Sequence, residues 1–190
     1  MTCPARYDRQ VGRRGLVVLA LTVFGIAGCT TGAGSTASTS TKVTVPLPAG
    51  ANPSRISEMV CSPDAAKVIH AALGEKAAID EVAWVDHRYS CRYGYPTGSM
   101  VVSVKELSSW SETIAYFDSL ATAMGTSQKI YGLGQGAFQA VDGSVVVRKD
   151  WKVLVVDISG LPGQFGVPAT NSANVALRVS YQIMGCWAGD

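Results

Sequence analysis

Between residue 57 and the C-terminal end, apolar positions recur at helical spacing in three stretches and at strand spacing in six. Ser62-Pro63-Asp64 supplies an N-cap, a proline suited to the first helical position and an acid for the first turn. Val68, Ile69, Ala72 and Leu73 then share one face, and Gly74 is placed to end the helix. Ser109-Trp110-Ser111-Glu112 reads as a capping box. Behind it Trp110, Ile114, Phe117, Ala121 and Met124 form one helical stripe that stops at Gly125. Asn171 or Ser172 caps a third helix carrying Val175, Val179 and Ile183. Strands are predicted over residues 82–86, 89–95 and 99–105, and again over 136–141, 144–149 and 152–158. Asp142-Gly143 is a hairpin signal between the fourth and fifth strands, and Lys149-Asp150-Trp151-Lys152 can turn the next corner. The order helix, strands, helix, strands, helix predicts an α+β domain. We expect an antiparallel sheet of about six strands with two or three helices on one face.

Upstream the pattern changes twice. An arginine-bearing stretch ends at Arg13-Arg14-Gly15, and an unbroken apolar run follows over residues 16–26. Its length fits the core of an export signal and falls short of the ~20 residues a spanning helix needs. Ile26-Ala27-Gly28-Cys29 comes next and resembles the bacterial lipobox, with Ile26 where that motif usually has Leu. The resemblance implies cleavage between Gly28 and Cys29 and diacylglycerol on the Cys29 thiol. A lipid anchor with two or more acyl chains holds a protein stably on a bilayer, since each buried methylene contributes roughly 0.8 kcal/mol. Arg13-Arg14 leaves open whether export follows the general secretory or the twin-arginine route.

After Cys29 the sequence is mostly Thr, Ser, Gly and Ala, then proline-punctuated through Pro46, Pro48 and Pro53. Such a stretch buries too little apolar surface to fold alone and reads as a tether. The predicted organisation is therefore an export signal over 1–28, a lipidated tether over 29–56 and one globular domain over 57–190.

Composition matters mainly through this division. The whole chain has a formal charge of +2 from 16 Lys+Arg and 14 Asp+Glu. Four of those arginines and one aspartate precede Cys29, so the processed chain would carry 12 against 13, or −1. No basic stripe remains for nucleic acid, and that class of partner is set aside.

The domain also carries a likeness to a family. Cys61 near the first helix, Cys91 within Tyr89-Ser90-Cys91-Arg92-Tyr93, and Gly132-Leu133-Gly134-Gln135-Gly136-Ala137 before a strand meander all contribute to it. With the closing helix, they resemble small actinobacterial cell-envelope lipoproteins of uncharacterised function, over most of residues 61–187. The resemblance implies an extracytoplasmic address on the outer face of the cell membrane, and it supplies no catalytic residue. In an oxidising exterior two of Cys61, Cys91 and Cys186 are expected to pair and one to be left over, with three pairings open to the sequence. The family likeness favours Cys61–Cys91, with Cys61–Cys186 next.

Other chemistry is thin. Cys61, His70, His87 and Cys91 are zinc-type ligands, but no Cys-x-x-Cys or His-x-x-x-His pair organises them and a disulfide would consume the thiols, so no metal is expected. Asp86-His87 invites a hydrolase reading, yet no nucleophile elbow accompanies it. The glycines over 132–136 look superficially like a phosphate loop, but a strand rather than a helix is predicted after them, so no cofactor is expected. Trp84, Tyr89, Tyr93 and Tyr95 are the remaining candidates: alternation puts the three tyrosines on one strand face, which either packs in the core or binds a ligand or partner. The expected function is a non-catalytic binding or interaction module of the envelope, meeting an unidentified protein or apolar ligand. A lipid- or glycan-binding carrier is the alternative, and an envelope hydrolase ranks last.

Overall fold

The computed structural model describes residues 46–187. Its elements run α1 (Arg55–Met59), α2 (Pro63–Leu73), β1 (Ala78–Val85), β2 (Arg88–Tyr95), β3 (Gly98–Glu106), α3 (Trp110–Met124), β4 (Thr126–Ile130), β5 (Gly136–Ala140), β6 (Val145–Lys149), β7 (Lys152–Asp157), β8 (Gln164–Phe165), β9 (Thr170–Asn171) and α4 (Ser172–Cys186). The class is α+β, as the element order predicts. Seven strands form one antiparallel sheet in the order β1-β2-β3-β7-β6-β5-β4, and β8 and β9 make a small ribbon apart from it. The expected six strands therefore become seven in the main sheet. The addition is β4, whose Thr-Ser-Gln-Lys-Ile sequence lies at the sheet edge with four of its five residues exposed. An edge strand solvated on both faces has no alternation to reveal it. The first strand starts earlier than expected, at Ala78, and Asp86 belongs to the turn after it.

Local chemistry explains most boundaries. Ser62 and Ser109 accept hydrogen bonds from Ala65 and Glu112 backbone N–H groups at the starts of α2 and α3. Glu112 closes the α3 capping box by accepting from the Ser108 N–H at 2.9 Å. Gly74 ends α2 at a φ of 70°, where a side chain would be strained. Asp86-His87 and Asp150-Trp151 both have positive φ at the two central positions, matching the backbone of the primed turns that join twisted strands. Asp142 and Gly143 sit in a longer connection, closed by Ala140 N–H to the Ser144 carbonyl and Gly143 N–H to the Ala140 carbonyl.

The helices do not share one face. Alternate residues of β6 and β7 belong to two separate cores: Val145, Val147, Leu154 and Val156 to one, Val146 and Val153 to the other. The larger core packs beneath Ile56 of α1, Ile69 and Leu73 of α2, and Val175, Val179 and Ile183 of α4. The smaller lies under α3, where Tyr116, Phe117, Leu120, Ala121 and Met124 meet Phe138, Ala140, Val146 and Val153. This corrects the expectation of helices on a single face. Periodicity shows that a strand such as Val145-Val146-Val147 is apolar on both sides, but not which helix arrives on which side.

The amino-terminal boundary also differs. Residues 49–56, placed by composition in the tether, are bound to the domain. Ala49 N–H donates to the Leu107 carbonyl at 3.2 Å, and Ser54 N–H donates to Glu106 Oε1 at 2.8 Å. Ser57 Oγ donates to the same Glu106 oxygen. The buried Glu106 carboxylate thus fastens the short α1 to the end of β3.

Candidate functional site

Gly28 and Cys29, the expected cleavage and lipidation positions, lie outside the described residues. Cys61, just after α1, and Cys91, in β2, form a disulfide with a Cα–Cα distance of 5.9 Å. Cys186 ends α4 outside that bridge, and it is not a free thiol, contrary to the expectation of one left over. Because Cys61 and Cys91 are bonded to each other, the set Cys61, His70, His87 and Cys91 does not assemble. Among the described residues no three His, Cys, Asp or Glu side chains come together as metal ligands.

The aromatic set divides between interior and surface. Tyr93 is fully buried and donates its hydroxyl to the Val60 carbonyl at 2.6 Å. Tyr95 is also buried, edge-on to Phe165 at 4.7 Å between ring centroids, and its hydroxyl has no hydrogen-bond partner. Burial pushes both phenols well above the usual tyrosine range, with Tyr95 and Glu75 respectively adding to the shift. These two side chains are therefore core, the first of the two readings that alternation left open. Tyr89 is half-buried at the end of the strand, its hydroxyl held above the ordinary value by burial and then by Glu58. Trp84 pairs with it in register across β1 and β2. The Trp84 indole N–H donates to the Ala51 carbonyl at 2.9 Å, and the His87 ring stands edge-on to it at 5.8 Å.

Asp86 and His87 bond to different partners rather than to each other. Lys105 Nζ meets Asp86 Oδ2 at 2.8 Å and also donates to the Asp86 carbonyl. That ammonium holds the Asp86 carboxyl below its usual value. His87 Nδ1 lies 3.0 Å from the Gly50 carbonyl oxygen, which directs its proton away from Asp86. His87 thus holds the incoming segment against the β1–β2 turn, while Asp86 ties that turn to Lys105 of β3.

The structure does assemble a group that the linear order hides: all four tryptophans of the chain lie at one end of the main sheet. That end carries the turns Asp86-His87 and Asp150-Trp151, and the register pairs Arg88 with Lys105, Glu106 with Lys152 and Gly136 with Arg148 there. Trp84 stands two residues before one turn and Trp151 within the other. Trp110 opens α3 and lies over the Arg148 guanidinium, 4.6 Å from carbon to ring centroid, with Phe117 on the same cation at 5.5 Å. Arg148 is thus held flat between aromatic rings and the Gly136 backbone, where an added Cβ would come within 2.7 Å of it. Trp187 is buried, and its carbonyl accepts from Lys149 Nζ at 2.7 Å. A shallow cleft of about 420 Å³ opens beside it, lined by Leu133, Gln135, Lys149, Tyr181 and Met184 among others. Residues 132–135 of the glycine stretch form one rim of this cleft and lead into β5, with Gln135 exchanging bonds with Asp150. No single local motif marks this end. The one available signal was the placement of tryptophans next to predicted turns and caps.

No protein-family model, curated protein or solved structure matches the chain.

Proposed function

We propose that the chain is an extracytoplasmic lipoprotein, held on the outer face of a membrane by diacylglycerol on Cys29, and that its domain is a non-catalytic binding module of the envelope. The observation that carries the reading is Ile26-Ala27-Gly28-Cys29 directly after a short apolar run with arginines before it. The Cys61–Cys91 disulfide agrees with an oxidising compartment. Binding at the surface is favoured over carriage of a lipid inside, because large apolar side chains of sheet and helices pack in one core there. Tyr93, Met100, Val102, Val179 and Ile183 meet there with essentially no exposure. A non-catalytic role is favoured by Asp86 and His87, the acid–base neighbours of the sequence, each being engaged elsewhere.

The test is the mass of the peptide containing Cys29 from the protein purified out of membranes, paired with a Cys29→Ser chain. Diacylglycerol on Cys29, and release of the Cys29→Ser protein into the soluble fraction, are expected. A Cys29 peptide with a free thiol or in a disulfide overturns the anchor. Reproducible hydrolytic turnover that disappears with His87→Ala overturns the non-catalytic part.

A further inference from the structure

We propose that the tryptophan-bearing end of the sheet is a membrane-docking surface that rests in the lipid headgroup region; this inference builds on the anchored reading above. Three of the four tryptophans reach the surface there, with Trp110 41% exposed and Trp84 and Trp151 partly so. Two aliphatic side chains stand out beside them, Leu47 at 68% and Val85 at 63% exposed. Arg88, exposed in the same turn region, adds a cation that suits phosphate headgroups. Indole rings with an apolar body and one N–H prefer the membrane–water interface to either bulk phase.

The occupant is indicated by where the chain enters the domain. Pro46 to Ala51 reach it at this end and no other: Ala49 bonds to Leu107, Gly50 to His87 and Ala51 to Trp84. Only 17 positions separate Cys29 from Pro46. A Gly/Ser-type chain of that length has an r.m.s. reach of roughly 21–25 Å. With a lipid on Cys29, the aromatic end is the part of the domain that the anchored chain joins first. The tether supplies proximity, and the aromatic end supplies exposed indole and aliphatic side chains with the Arg88 cation among them, the neighbouring Asp86 carboxylate being paired with Lys105.

Tryptophan emission tests this cleanly, because the chain has no tryptophan before Trp84. The signal reports on the domain however the amino-terminal segment is held. The full chain, purified from membranes, is reconstituted into vesicles of phosphatidylethanolamine and phosphatidylglycerol, with or without a phosphatidylcholine brominated on its acyl chains. The expected result is loss of emission in the brominated vesicles, abolished in a Leu47→Asp, Val85→Asp chain, changed only at exposed aliphatic positions and unaltered in its thermal unfolding. Equal emission in the two kinds of vesicle, from protein that floats with them, overturns the docking surface and leaves this end for a protein partner. If the Cys29 peptide carries no lipid but emission is still lost, the anchor fails and the docking surface stands.

Discussion

Two tyrosines two residues apart on β2 are held by the same core in opposite hydrogen-bonding states. The Tyr93 hydroxyl satisfies the Val60 carbonyl at 2.6 Å, whereas the Tyr95 hydroxyl is buried without a partner. Removing one half of a buried pair leaves the other unsatisfied, while removing an orphan relieves a desolvated group. Tyr93→Phe is therefore expected to cost about 1–3 kcal/mol, and Tyr95→Phe to be neutral or stabilising by up to ~1 kcal/mol. Urea unfolding of the two variants decides it; equal losses would contradict the assignment. The same residues set the alkaline limit of the fold. Both phenols are raised by burial, so above the unfolded value near pH 10 the unfolded chain releases protons that the folded chain keeps. Their contribution is fully present below about pH 10 and is lost as pH rises beyond it. A doubly substituted Tyr93→Phe, Tyr95→Phe chain should show a shallower fall in unfolding midpoint between pH 9.5 and 11.5 (a range set by the ordinary phenol value of ~10) than the parent.

At the scale of elements, two fastenings connect the helices on the larger core to the sheet. The Cys61–Cys91 bridge closes a loop with a sequence separation of 30. In the chain-entropy account such a loop contributes about 3–4 kcal/mol. Cys61→Ala with Cys91→Ala is expected to lower Tm by roughly 10 °C, as calorimetry of the oxidised parent and the double variant would show. Glu106 is the second fastening, and it acts only on α1. Glu106→Ala should expose backbone amides of residues 54–60 to hydrogen exchange while those of β6 and β7 stay protected. Exchange that spreads evenly through the domain would mean that Glu106 supports the sheet rather than the helix. These elements also show what the sequence made legible. Ser62, Ser109 and Asn171 cap helices that begin where their chemistry indicates, because a cap is a local device. α1 was missed because five residues carry too little periodicity to register. β4 was missed because Ile130 alone is apolar in it, too little to show an alternation. The division of helices between two faces was illegible for a different reason: it depends on the order β3-β7-β6-β5, which brings together strands far apart in the chain.

The candidate site belongs to the scale of the whole molecule, which is why it was the least legible. Trp84, Trp110, Trp151 and Trp187 are separated by dozens of residues, and only the antiparallel register places them at one end. The sequence indicated the neighbouring tyrosines of β2 instead, since alternation is visible there, and Tyr93 and Tyr95 proved to be core. What connects the tryptophan end to the predicted anchor is tether length, and length can be changed without touching the domain. Deleting residues 30–40 shortens the separation of Cys29 and Pro46 from 17 positions to 6. Effective concentration rises roughly as the −3/2 power of linker length, so the ratio of docked to undocked domain should increase about fivefold. The entry point already lies on the docking face, so the short tether imposes no turn of the domain that would oppose it. Reconstituted chains should then keep their bromolipid-quenched state at higher salt than the parent, because a larger effective concentration offsets the screening of Arg88 and its neighbours. If shortening instead lifts the quenching, the tether attaches in an orientation that pulls the aromatic end off the surface, and the docking geometry is wrong even where the anchor is right.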